Sequence, residues 1–267
     1  VTRREFLRAL ALALAAGLPV GARAAAAQDG FYDLPAFGNV TLLHVTDCHA
    51  QLLPVWYREP SVNIGVGESV GKPPHMVGAR LLERFGFRPG TREAHALTSL
   101  DYIQAARTYG RMGGFAHLAT LVKQLRARRS GALLLDGGDT WQGSATALWT
   151  RGQDMVDAAK LLGVEVMTGH WEFTLGAERV KEIVERDFKG RIDFVAQNVV
   201  TKDFEDPVFP GYVLREVNGI PAAVIGQAFP YTPIANPRYL VPEWTFGIRE
   251  ERLQKTIDDA RGKGAHV

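Results

Sequence analysis

The sequence predicts an α/β protein whose sheet is at least partly parallel. Three observations carry that class. Short runs of aliphatic and β-branched residues alternate with stretches whose apolar residues recur at helical spacing. Clusters of glycine, aspartate and histidine follow three of the apolar runs directly, and open parallel sheets bind ligands at that end of their strands. The composition is that of a folded domain: 267 residues, 46% hydrophobic and 22% charged. That is unlike a disordered or collagen-like chain and leaves room for a sizeable core.

Taken in order, residues 1–26 read as a twin-arginine signal peptide. Arg3-Arg4 with Phe6-Leu7 is followed by an apolar run, Ala9 to Val20, and by a small-residue zone around Ala22-Arg23-Ala24. The run is too short to span a bilayer comfortably. Val40–Thr46, Ala132–Leu135, Val164–Met167 and Ile192–Ala196 are predicted strands. Phe115–Arg129, Met155–Leu162 and Ala177–Phe188 are predicted helices, the first with Leu118, Leu121, Val122 and Leu125 on one stripe. Tyr212–Val217 and Ala222–Ala228 read as strands joined at Asn218-Gly219, and Ile248–Gly262 as a last helix. Two stretches break the rhythm. Residues 54–110, with Pro60, Pro73-Pro74 and Pro89, read as a long loop-like insertion suited to capping a site, and Pro230–Pro242 as a second surface segment. Gly264-Ala265-His266-Val267 looks like the approach to a further strand, so residues 27–267 are expected to be an incomplete domain.

Charge and cysteine content exclude several classes. There are 31 basic and 29 acidic residues, a net of +2, and no polybasic stretch of the kind that binds nucleic acid. Arg3, Arg4, Arg8 and Arg23 against Glu5 sit in the leader, so 27 basic and 28 acidic residues remain behind it and the apparent basicity belongs to the signal. One cysteine, Cys48, rules out an intrachain disulfide framework and a multi-thiolate metal site.

The clusters that carry chemistry are Asp47-Cys48-His49, Asp136-Gly137-Gly138-Asp139 and Gly169-His170-Trp171-Glu172. Asp-x-His offers a hard oxygen and a borderline nitrogen, a mixture that suits manganese, iron or zinc. A lone Asp-x-His is compatible with an ordinary loop. Three such clusters at successive strand ends point instead to a two-metal centre that activates water and clamps an oxyanion. Cys48 reads as incidental rather than nucleophilic, because side chains alternate along an extended segment.

Asp-x-His, then Gly-Asp, then a Gly-x-x-Glu-Phe segment resembles the dinuclear metallophosphoesterases, with the 5′-nucleotidase branch closest by layout. The usual Gly-Asn-His-Glu-Phe here reads Gly169-His170-Trp171-Glu172-Phe173. That departure, the long insertion and the phrase from Tyr109 to Leu118 resemble the SoxB family, the thiosulfohydrolases of bacterial sulfur oxidation. The resemblance implies a layered α/β/β/α domain with Asp47 and His49 on one metal, Asp139 bridging, and His170 on the other in place of Asn. It implies two divalent transition metal ions, manganese above all, and further histidines from Ser-His-Asn and Gly-His-x-His segments that this sequence does not contain. It also implies a C-terminal domain outside this chain, a periplasmic location without a stable membrane anchor, and a SoxYZ-type carrier whose cysteine bears the sulfonate substrate. Trp171 replaces a histidine that assists an alkoxide leaving group, and a sulfur leaving group needs less help. Arg58, Arg111 and Asn198 are candidates to hold the sulfonate or orient a ligand, with surface or turn roles as the alternative. Trp56 and Tyr57 can line a channel or face solvent. Trp141 reads as packing or rim, and Glu172 as an organiser of backbone. The competing functions are a periplasmic 5′-nucleotidase or other phosphomonoesterase, and a non-catalytic fragment with half of the ligands.

Overall fold

A computed structural model describes residues 35, 37–56, 65–76, 78–97 and 102–267. The predicted signal peptide, Tyr57 and Arg58 lie outside the described residues. In chain order the elements are β1 (Leu42–Val45), β2 (Val55–Trp56), α1 (Gly78–Phe85), α2 (Arg92–Leu97), α3 (Tyr102–Tyr109), β3 (Arg111–Met112), α4 (Phe115–Arg128) and β4 (Leu133–Asp136). They continue with α5 (Ala145–Thr150), α6 (Gln153–Leu162), β5 (Val166–Met167), α7 (Ala177–Glu182), β6 (Asp193–Phe194), β7 (Val200–Thr201), β8 (Tyr212–Val217), β9 (Ile220–Ile225), α8 (Thr232–Ala235), β10 (Trp244–Thr245) and α9 (Glu250–Gly262).

β1, β4, β5 and β6 form a parallel sheet in that order, with Val45 opposite Asp136 and Asp136 opposite Met167. The three pairings are all parallel, so the four carboxyl ends, Thr46, Gly137, Thr168 and Val195, lie on one side of the sheet. The run Leu133-Leu134-Leu135 of β4 is almost wholly apolar because a strand inside a parallel sheet is covered on both faces. Met155, Val156 and Ala159 of α6, Leu134, Trp141, Phe173 and Phe188 make the centre of the core. Edge-to-face rings tie it together, with Trp141–Phe188 centroids 5.4 Å apart and Phe194–Phe209 4.8 Å apart. Arg126 of α4 joins helix to sheet: its Nη2 donates to Gly163 O and to Glu165 Oε2, which also accepts from the Leu134 N–H.

Three expectations need correction. The predicted helix Ala177–Phe188 is regular only to Glu182 and then widens into a π turn, Ile183–Asp187. The core residues are Val180, Ile183 and Phe188, and the last interval fits an i to i+5 bond, Phe188 N to Ile183 O at 2.9 Å. The insertion is not one long loop. The β2–β3 ladder closes its ends, and α1, α2 and α3 lie within it, with Leu82, Ala94 and Ala105 buried. The prolines and glycines there punctuate short helices. Pro230–Pro242 is likewise not merely surface, since Thr232, Asn236 and Val241 are buried.

The β8–β9 hairpin turns at Asn218-Gly219, both at positive φ, and pairing resumes at once with Val217 opposite Ile220. The second strand therefore begins two residues earlier than its hydrophobic run and ends at Ile225. Ala265–Val267 runs beside it, with Ala223 N donating to Val267 O at 2.7 Å. No helix among the described residues is long and apolar enough to cross a membrane.

Candidate metal centre

The loops after β1 and β4 are laced together by backbone. Asp47 N donates to Gly138 O at 2.9 Å, His49 N to Asp139 O at 2.9 Å and Ala50 N to Thr140 O at 3.1 Å. The lacing holds Asp47, His49, Ala50 and Asp139 at φ between 47° and 60°, a region that non-glycine residues enter at a cost and that clusters at functional sites. Gly138, at φ 93°, is needed for a different reason: a Cβ there would lie 2.8 Å from His170 N.

The side chains converge on Asp139. Its Oδ2 lies 3.4 Å from His49 Nε2 and 3.2 Å from His170 Nδ1, and His49 Nε2 lies 3.9 Å from Asp47 Oδ1. Among the described residues Asp47, His49 and Asp139 offer ligand atoms within 4.8 Å of one another. Gln142 Nε2 donates to the other oxygen, Oδ1. Asp139 is almost fully buried, whereas the Asp47 and His49 side chains are about half exposed at the mouth.

Glu172 is the hub behind these groups. Fully buried, its carboxylate accepts N–H bonds from Thr140 at 2.7 Å, His170 at 2.7 Å, Asp139 at 3.0 Å and Trp141 at 3.3 Å. It organises backbone, in line with its sequence reading, and has no lone pair left for a base's work. Asp136, also buried, accepts from Gly138 N and from the Thr140 hydroxyl. Burial, then the neighbouring Glu172 charge, pushes its pKa up to about 7. The Cys48 Sγ rests against the core, and burial with the nearby Asp136 charge pushes its pKa up to about 11, which leaves it unsuited to attack.

These residues fit divalent metal ions. Asp136, Asp139 and Glu172 are three buried carboxyls close together, and buried anions persist where cations offset them. His170 Nδ1 is buried without a hydrogen-bond partner although Asp139 Oδ2 is 3.2 Å away, a placement that suits a ligand atom turned toward an ion rather than toward a proton acceptor. The donor set of carboxylate oxygen and imidazole nitrogen suits a transition metal.

The other sequence candidates fall elsewhere. Asn198 is fully buried, and its amide is spent on Ala228 N, Ala228 O and Gly247 O, so it clamps the segment behind the site instead of reaching a substrate. Arg111 is exposed on β3 with its guanidinium 5.9 Å from the Trp56 ring centroid. Trp56 is itself exposed, and Trp141 packs in the core. Trp171 heads the turn Trp171–Leu175 and stacks on Phe229 at 6.3 Å. Sequence reasoning missed Gln142 and Phe229. Gln142 is three residues past the Asp139 motif, and Phe229 carries no local signal at all.

No family model matches the chain. The sulfate thiohydrolase SoxB of Thermus thermophilus is 38% identical, with a TM-score of 0.67, over 88% of this chain and 44% of that one. This chain resembles SoxB. Among characterised sequences, a 2′,3′-cyclic-nucleotide 2′-phosphodiesterase/3′-nucleotidase of Haemophilus influenzae is 30% identical over 136 residues, 47% of this chain and 20% of that protein. A snake venom 5′-nucleotidase of Naja atra is 30% identical over 176 residues, 63% of this chain and 32% of that protein. The chain thus spans less than half of the SoxB structure and a third or less of these nucleotidases. The fold is of the metallophosphoesterase type, and the similarities support a hydrolase of that kind with a divalent-metal site.

Proposed function

We propose that the complete protein is a periplasmic thiohydrolase that releases sulfate from a sulfonated cysteine on a SoxYZ-type carrier, using two manganese ions. The observation that carries this reading is the pair His170-Trp171 in the metal motif of a chain 38% identical to SoxB. Asp47, His49, Asp139 and His170 would hold the metals. When bound, the metals supply Lewis-acid polarisation of anionic oxygens and activation of water.

The chain's own residues set the rest. The Glu172 carboxylate holds the N–H groups of both Asp139 and His170, so the carboxylate and the imidazole keep a fixed separation. Trp171 offers an indole N–H, which donates a hydrogen bond but cannot deliver a proton at neutral pH. A leaving alkoxide would suffer from that loss; a thiolate, whose conjugate acid has a pKa of about 8.5, leaves unaided. The N-terminal Arg3-Arg4 pattern supports export in the folded, metal-loaded state.

A second reading, a nucleotidase, is favoured by the 30% identity to the Naja atra enzyme. Full-length protein loaded with manganese separates the two. Sulfate release from an S-sulfonated carrier peptide without phosphate release from 5′-AMP supports the proposal. Phosphate release from 5′-AMP with no sulfate release overturns it.

A further inference from the structure

We propose that Phe229 is a positioning residue that holds the His170 imidazole in place for a metal ion; this rests on the reading of His170 as a ligand. Ligating histidines are ordinarily oriented by a hydrogen bond on the ring. Among the described residues His170 Nε2 has no hydrogen-bond partner, and Nδ1, the atom that faces Asp139 Oδ2 at 3.2 Å, has none either. Its backbone N–H is anchored on Glu172, which does not by itself set the side-chain torsions.

What fixes the ring is packing. The Phe229 ring lies 4.3 Å from the imidazole centroid at 36°. Phe229 is in turn held on three sides. Trp171 stacks on it at 21°, Tyr231 meets it edge-on at 5.8 Å, and its N–H donates to Gly169 O at 3.0 Å, next to His170 itself. The buried Asn198 amide clamps the preceding residue, Ala228, through both its N–H and its carbonyl. The strand-end loop that carries the ligand and the loop after β9 are thus coupled ring to ring. A ring packed at that distance hinders rotation of the imidazole about its Cβ–Cγ bond, and a smaller aliphatic side chain leaves it more room.

The test titrates full-length apoprotein with Mn²⁺, reading bound ion by electron paramagnetic resonance and imidazole coordination by the ¹⁴N couplings of bound manganese. H170A is the reference for losing the ligand. F229L is expected to weaken the second manganese by about tenfold or more and to reduce its ¹⁴N coupling, while F229Y restores both. Should F229L fail to fold, F229M fills the gap with a flexible unbranched chain instead of a flat ring and carries the same expectation. Native affinity and coupling in F229L, or in F229M in its place, alongside a loss in H170A, overturns the role of Phe229 and leaves His170 a ligand. No loss in H170A overturns the ligand reading and the inference with it.

Discussion

Under the proposed function, Trp171 is the residue that sets what the site can do with a leaving group. Restoring a proton donor there should restore ester chemistry: W171H is expected to raise phosphomonoester hydrolysis by at least about tenfold, since a positioned acid contributes in that range or above. Unchanged phosphatase activity would show that Trp171 is not what limits it. Asp136 gives a second residue-scale expectation. Its carboxyl pKa is raised by the fold, so the protonated form is the one the fold favours. That contribution is whole below the ordinary carboxylate range and is lost as pH rises through about 7. In metal-free protein D136N should therefore be more heat-stable than the native chain at pH 8, by up to about 4 kcal/mol, and no more stable near pH 4. A gain of equal size at both pH values would contradict this.

At the scale of elements, the site is a joint between loops that follow different strands. Glu172 binds the loop after β4 to the loop after β5 through four N–H bonds on one buried carboxylate. E172Q turns an amide N–H₂ toward those donors and should cost about 3 kcal/mol, read as a lowered Tm with the fold retained. A Tm within a degree of native would mean that the carboxylate is not what joins the loops. The strands and most helices of this region were legible beforehand, because apolar period and β-branched runs are local properties. The π turn after α7 and the helices of the insertion were not. The first depends on which side chains reach the core, and the second lay among prolines and glycines that read as loop.

For the whole molecule, the cluster of buried acids predicts a strong link between metal and stability. Manganese at about a hundred times its Kd should add about 2.7 kcal/mol, which for a chain of this size raises Tm by about 5–10 °C. A chelator should reverse the shift, and a Tm indifferent to Mn²⁺ and Zn²⁺ alike would rule out a metal-linked fold. The α/β class and the parallel core sheet were legible in the sequence, and so was the location of the three polar clusters at its carboxyl edge.

The sequence alone determined the chemical types at the site and their order along the chain, Asp47 and His49, then Asp139, then His170, since each motif is a few contiguous residues on a strand-to-loop junction. Only the tertiary structure decided how they meet. The shared oxygen of Asp139 between two imidazoles comes from strand order and from backbone bonds between loops. The same packing set the Asn198 amide on Ala228 and brought Phe229 onto His170. Such contacts join residues far apart in the chain, so their partners are set by the packing of the sheet and not by any local pattern.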